Sequence, residues 1–204
     1  MESQILNKNI VFIGEFKPSI FDKLYFIKKR IIAEEEFLPN SLFLPDLTVI
    51  DTENYLLEIT TNKFTISYKI IENQDLPNTI KIEKALEESK VNAFGFNFKI
   101  DIFIDDRSVT KKYFYFADNK LNQFFDSDNS AYGYYVSKDL EECRLKLDIK
   151  PVQLQKITEN VLIDAIDFNF NFHFENSNYS EQLSKFKNYE NLTLEIINIK
   201  LLYF

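Results

Sequence analysis

The sequence predicts an α+β protein: a mostly antiparallel, Phe-rich curved sheet with about three helices packed on it, the alternative shape being a half-open barrel. Three features lead to this reading. The apolar residues are of the strand-forming kind. There are 21 Phe and 11 Tyr but no Trp and one Met, and aromatic and β-branched side chains suit a pleated, half-buried surface. Several segments alternate apolar and polar residues with a period of two. Their connections are short, which favours antiparallel neighbours with helices on one face. AT-rich coding also raises Phe, Ile, Asn, Lys and Tyr together, so the Phe count is not read as a ligand-binding signature.

In chain order, residues 9–16 read as a first strand, broken by Pro18 and Ser19. Ser19 and Asp22 resemble a capping box with Asp in place of the usual Glu. Phe21, Leu24, Ile27 and Ile31 follow at helical spacing, so a helix is expected over 19–33. After a loop bearing Pro39 and Pro45, residues 47–51, 55–60 and 64–71 read as strands, with Thr61, Asn62 and Lys63 closing a hairpin. Pro77 and Asn78 open a second helix through Lys90. The clearest strand is 94–104, with Phe94, Phe96, Phe98, Ile100, Ile102 and Ile104 on one side and Gly95, Asn97, Lys99 and Asp101 on the other. Gly95 inside it signals a bulge or a close backbone approach.

Further strands are expected at 112–117, 132–136, 143–150 and 161–174. The last of these sets Phe168, Phe170, Phe172 and Phe174 opposite Asn169, Asn171 and His173. A third helix is expected around 179–188, and a final strand over 192–203. One domain, 1–204, accounts for the chain. The polar stretch 118–130 is the best seam if there are two lobes.

Composition narrows the function classes. A net charge of −8 repels phosphate backbones, so direct nucleic-acid binding is disfavoured. Cys143 is the only cysteine, which excludes an internal disulfide and a cysteine zinc cluster and fits a reducing compartment. Residues 1–17 carry no signal-peptide pattern, and no apolar run reaches the ~20 residues of a spanning helix. A cytoplasmic, membrane-free bacterial protein is expected.

Each chemical constellation falls short of a known catalytic set. His173, the only histidine, reads either as a general base oriented by a carboxylate or as a polar residue on a solvated strand face. Cys143 shares its face with Leu145, Leu147 and Ile149 and follows Glu141 and Glu142, a setting that raises a thiol's pKa and marks burial. Asp46, Glu58 and Lys63 resemble the carboxylate-plus-lysine layout of metal-dependent nucleases, but the usual Glu-x-Lys reads Glu58-Ile59-Thr60 here. Residues 126–130 resemble a calcium loop, but Ala131 and Ser137 stand where Gly and Glu belong. Asp101, Asp105, Asp106 and Arg107 read as charge where a strand stops. Gly14, Gly95 and Gly133 are too far apart for a phosphate loop.

The charge layout is more directional. From Glu34 to Asn62 there is no Lys or Arg, so Glu34, Glu35, Glu36, Asp51 and Glu53 are the candidate interaction residues for a basic protein partner. The function expected is therefore a non-enzymatic binding or assembly subunit acting through protein–protein contacts, with self-association compatible and no cofactor. Three alternatives stand beside it: a small-molecule binder with an aromatic-lined cavity, a metal-dependent hydrolase or nuclease using Asp46 and Glu58, and an acidic inhibitor that mimics nucleic acid. No motif is specific enough to name a family.

Overall fold

The computed structural model describes residues 3–69, 79–104, 132–156, 161–175 and 178–201. Within them, nine strands form one sheet: β1 (Ser3–Glu15), β2 (Leu42–Phe43), β3 (Leu47–Asp51), β4 (Tyr55–Thr60), β5 (Lys63–Tyr68), β6 (Lys90–Phe103), β7 (Tyr134–Asp139), β8 (Arg144–Lys156) and β9 (Val161–Glu175). The order is β2-β3-β4-β5-β1-β6-β9-β8-β7, and all eight pairings are antiparallel. Among the described residues, strands β2 and β7 end the sheet, and no pairing closes it into a barrel. Four helices accompany it among the described residues: α1 (Lys23–Lys28), α2 (Thr79–Leu86), α3 (Tyr179–Ser184) and α4 (Phe186–Leu201). The architecture is α+β, as the alternation predicts, with four helices among the described residues where about three are expected.

The core grows from the Phe alternation. Strands β6 and β9 pair in unbroken register, with Phe94 opposite Phe174, Phe96 opposite Phe172 and Phe98 opposite Phe170. All six rings are buried. The Phe94 and Phe174 rings stack at 4.6 Å with an interplanar angle of 6°. Helix α4 closes over them. The Phe186 ring lies 5.0 Å from both Phe96 and Phe98, and Tyr189 lies 5.0 Å from Phe172. On the other flank of β6, Ile10 and Phe12 of β1 pair with Phe96 and Phe94. Two register shifts interrupt the β1–β6 ladder. At the second, a Cβ on Gly14 would collide with the Lys90 carbonyl oxygen, so the glycine is required there.

A charged pair sits inside this apolar layer. Lys8 lies on the core side of β1, opposite Phe98, and is only 3% exposed. Its Nζ lies 3.6 Å from Oε1 of the buried Glu190 on α4. Lys187 Nζ reaches the other Glu190 oxygen at 3.1 Å. The pair ties the helix to the sheet; removing Glu190 would strand the buried Lys8, and removing Lys8 would leave Glu190 with Lys187 alone.

Several elements differ from the sequence expectation. The helix expected over 19–33 is α1, six residues long, preceded by a 3-10 turn at Pro18–Ile20. Asp22 rather than Ser19 caps it, accepting from the Tyr25 amide at 2.7 Å. Arg30, at φ 55°, ends it: the Ile31 amide returns to the Phe26 carbonyl at 2.9 Å and the Arg30 amide to that of Ile27, which is a Schellman closure. Lys90, expected to end a helix, begins β6. Strand β2 falls where a loop is expected. Strands β8 and β1 run beyond their expected bounds, and β7 begins two residues later than expected. The strand expected over 192–203 is corrected to helix: α4 runs through Leu201. Its buried positions, Phe186, Tyr189, Thr193 and Ile197, recur every three or four residues. The expected strand at 112–117, the seam at 118–130 and the loop at 126–130 lie outside the described residues.

Two stability outcomes follow. Phe96→Ala is expected to cost about 3–5 kcal/mol, measured by chemical denaturation; a loss below about 1 kcal/mol would contradict its place in the core. Lys8→Ala is expected to cost about 1–3 kcal/mol, because the buried Glu190 keeps only Lys187 as a charged partner. The double change Lys8→Met with Glu190→Leu is expected to recover most of that loss.

Candidate functional site

The sheet has a second face. Along β6 and β9 the residues between the Phe positions point away from the core, and the register brings like polar groups together. Asn97 stands between Asn9 of β1 and Asn171 of β9. Asn97 Nδ2 donates to Asn9 Oδ1 at 2.7 Å, and Asn171 Nδ2 donates to Asn97 Oδ1 at 2.6 Å. This amide ladder crosses three strands and leaves few of its groups unmet. Gly95 makes room for it: a Cβ there would lie 3.1 Å from Asn171 Nδ2. The close approach expected at Gly95 is therefore to a side chain.

His173 lies on this face, opposite Gly95 and Arg144. Its Nε2 is 3.1 Å from Glu175 Oε1. The carboxylate that would orient a histidine base is thus two residues along the same strand, the i, i+2 relation that puts both on one face.

The other catalytic candidates are spread over the opposite half of the sheet. Asp46 is exposed just before β3. Glu58 is half-buried in mid β4, between Val49 of β3 and Thr65 of β5. Lys63 is exposed at the start of β5, in register with Ile13. Among the described residues, no group of three or more His, Cys, Asp or Glu side chains could hold a metal ion.

The acidic stretch is partly neutralised by lysines from outside it. Glu34 Oε1 is 3.2 Å from Lys23 Nζ. Glu36 turns back to accept from the Ala33 amide at 2.6 Å. Asp51 is buried, ion-paired with Lys69 and within 3.4 Å of Asn40 Nδ2. Among the five candidates, only Glu35 and Glu53 are exposed with no such partner described. Asp51 holds the β3–β4 turn to the end of β5 and is not a surface group.

Cys143 is buried. Burial pushes its thiol up to about 11, against a smaller lowering by the Tyr189 hydroxyl. Tyr189 also hydrogen-bonds Glu142 Oε2 at 3.2 Å and Gln182 Oε1 at 3.1 Å. The aromatic side chains of β6 and β9 fill the layer under the sheet by packing on one another.

The two sheet ends differ most from what the sequence indicated. Strand β2 is two residues long. Strand β7 is six residues long and, among the described residues, pairs on one side only, with β8. Three consecutive large residues on it are exposed: Tyr134 at 44%, Tyr135 at 65% and Val136 at 50%. Tyr134 and Val136 lie over Ile149 and Leu147, on the core side, yet the core's cover does not reach them. A sheet end is normally blunted by brevity, proline or charge. Lys138 and Asp139 supply some charge, but only beyond the Tyr-Tyr-Val run. Three adjacent apolar residues without alternation were the signal available in the sequence.

Thiol labelling tests the placement of Cys143. Folded protein is expected to label slowly and denatured protein rapidly, since the thiolate is the reactive form and burial suppresses it. Rapid stoichiometric labelling of folded protein would place the thiol at the surface.

Among the described residues, no helix is long and apolar enough to cross a membrane. No known protein family matches the chain, and no curated protein or solved structure matches it either.

Proposed function

We propose that this protein is a non-enzymatic binding or assembly protein that takes a protein partner along β7. One observation carries the reading: three consecutive large side chains stand exposed on the strand that, among the described residues, ends a nine-stranded sheet. Such a run on a surface is costly unless it is used. A terminal strand offers backbone N–H and C=O groups to an added strand, while alternate side chains supply selectivity. Tyr suits this role because its large ring carries a polar end, and aromatic residues are enriched in contact surfaces.

The partner's contacting segment is extended. Residues that meet Tyr134 and Val136 are apolar, and those that meet Tyr135 and Ser137 on the other face are amphipathic. Exposed Glu35 and Glu53 act at most on the rate of encounter, because rim charges steer association more than they hold a complex. The reading also accommodates self-association through the same strand.

The test is a double variant, Tyr135→Lys with Val136→Lys, compared with the unaltered protein. Partner recovery from native extract and the sedimentation of the purified protein are measured together with chemical denaturation. The expected result is loss of the bound partner, or of the self-associated form, with stability changed by no more than about 0.5 kcal/mol. Unchanged recovery and unchanged sedimentation would remove β7 as the interface. Metal-dependent turnover lost on Asp46→Ala or Glu58→Ala would overturn the non-enzymatic reading.

A further inference from the structure

Asp101 is a residue that the polar-face pattern places in water and the fold does not. It is fully buried, at 0% exposure. Neither of its carboxylate oxygens has a hydrogen-bond partner. Its register partner on β9 is Asp167, itself only 3% exposed. Directly opposed side chains on one face of an antiparallel pair have Cβ atoms about 4.5–5.5 Å apart, and two like charges there repel.

Among the described residues, the surrounding charges do not balance the pair. On β6 itself, Lys99 Nζ lies 3.4 Å from Asp167 Oδ2. On β9, Asn169 Nδ2 donates to Asp167 Oδ1 at 2.8 Å. On β8, Lys150 is the register partner of Asp167, but its Nζ is turned to Asp148 Oδ2 at 3.3 Å. On β1, the position opposite Asp101 is Gln4, which carries no charge. Asp167 is thus provided for, and Asp101 is not. An isolated buried carboxylate is costly as an ion, and the cheapest remedy is to take up a proton.

We infer that Asp101 and Asp167 form a proton-binding pair: one proton, taken from solvent, sits on Asp101 and is directed at the Asp167 carboxylate. The pair then carries one negative charge, which Lys99 neutralises, and the protonated oxygen of Asp101 gains a bond. Burial first and the Asp167 charge second push the Asp101 carboxyl above its ordinary value, with Lys99 opposing. The direction of linkage follows. The folded state holds a proton that the unfolded chain has released, so stability from this group is greatest at low pH and is lost as pH rises through the folded-state value. The window opens near the unfolded Asp value of about 3.9 and closes at the raised value of Asp101. This makes the β6–β9 pairing responsive to acidification, independently of any role for β7.

The experiment compares the unaltered protein with Asp101→Asn, an isostere of the protonated acid. Chemical denaturation across the acid-to-neutral range gives the ratio of the two folding equilibrium constants. As pH rises through the window, the unaltered protein is expected to lose ground to Asp101→Asn by up to about tenfold per pH unit, the limit for one proton. In parallel, carbon-13 carboxyl shifts of the unaltered protein are followed with pH. One Asp is expected to titrate above the ordinary value, and its signal should be absent in Asp101→Asn. A pH-independent ratio, or Asp carboxyls that all titrate at or below about 3.9, would overturn the proposal. So would a higher denaturation midpoint on adding magnesium or calcium ions to the unaltered protein but not to the variant. In that case the pair takes a metal cation rather than a proton. If Asp101→Asn does not fold, the carboxyl titration of the unaltered protein decides alone.

Discussion

Eleven consecutive residue pairs join β6 to β9, from Ala93 opposite Glu175 to Phe103 opposite Ala165. That register is the constraint on which both faces of the sheet depend. Side chains alternate with a period of two, so a slip of one residue would carry Phe94, Phe96 and Phe98 to the polar face and Asn97 and Asp101 to the core. The correct register does two things at once. It stacks the Phe rings into a layer that Phe186 and Tyr189 of α4 can close, and it aligns Asn97 with Asn171 so that their amides bond. The apolar layer supplies the larger share of stability, since each buried aromatic removes a large area from water. The amide ladder supplies specificity, because a slipped register would leave those amides without partners.

Alternation made most of the sheet legible, because strands half in the core and half out write their geometry into the sequence. It failed where polar residues are buried. In α4, Leu192, Leu194 and Ile196 alternate with Thr193 and Glu195, which reads as a strand. The buried residues are instead Glu190, Thr193 and Ile197, with Leu192, Leu194 and Ile196 only partly covered. Thr193 is buried because its hydroxyl donates back to the Tyr189 carbonyl at 2.9 Å. Glu190 is buried because Lys8 meets it from the far end of the chain. A pattern of apolar against polar cannot see a bond between residues so distant in sequence, and tertiary packing overrides the local reading.

The same limit governs the charged candidates. Glu34 to Asn62 contains no cation, yet Lys23 and Lys69 arrive from either side to pair with Glu34 and Asp51. The sequence distinguished charge runs from neutral ones; it could not say which members would find partners. His173 and Glu175 show the converse. Their two-residue spacing on a strand was enough to place both on one face, and the contact at 3.1 Å follows from the pleat alone. Asp46, Glu58 and Lys63 had no such local geometry to bind them, since their positions depend on how three strands are staggered.

Local and global signals agree across much of this molecule: the Asn ladder and Thr193 are bonded, Asp22 and Asn178 cap their helices, and, among the described residues, the strand that ends one side of the sheet is two residues long. They disagree at Asp101, a buried acid without a bond, and along β7, an apolar run left uncovered. A folded sequence tolerates such conflicts chiefly where something other than stability is served. The two conflicts are of different kinds. The one at Asp101 can be resolved within the chain by a proton, since a single small ion restores both charge and bonding. The one at β7 cannot, because no change of protonation covers Tyr135 or Val136. Covering those side chains takes another apolar surface, which is the role proposed for a partner segment along β7.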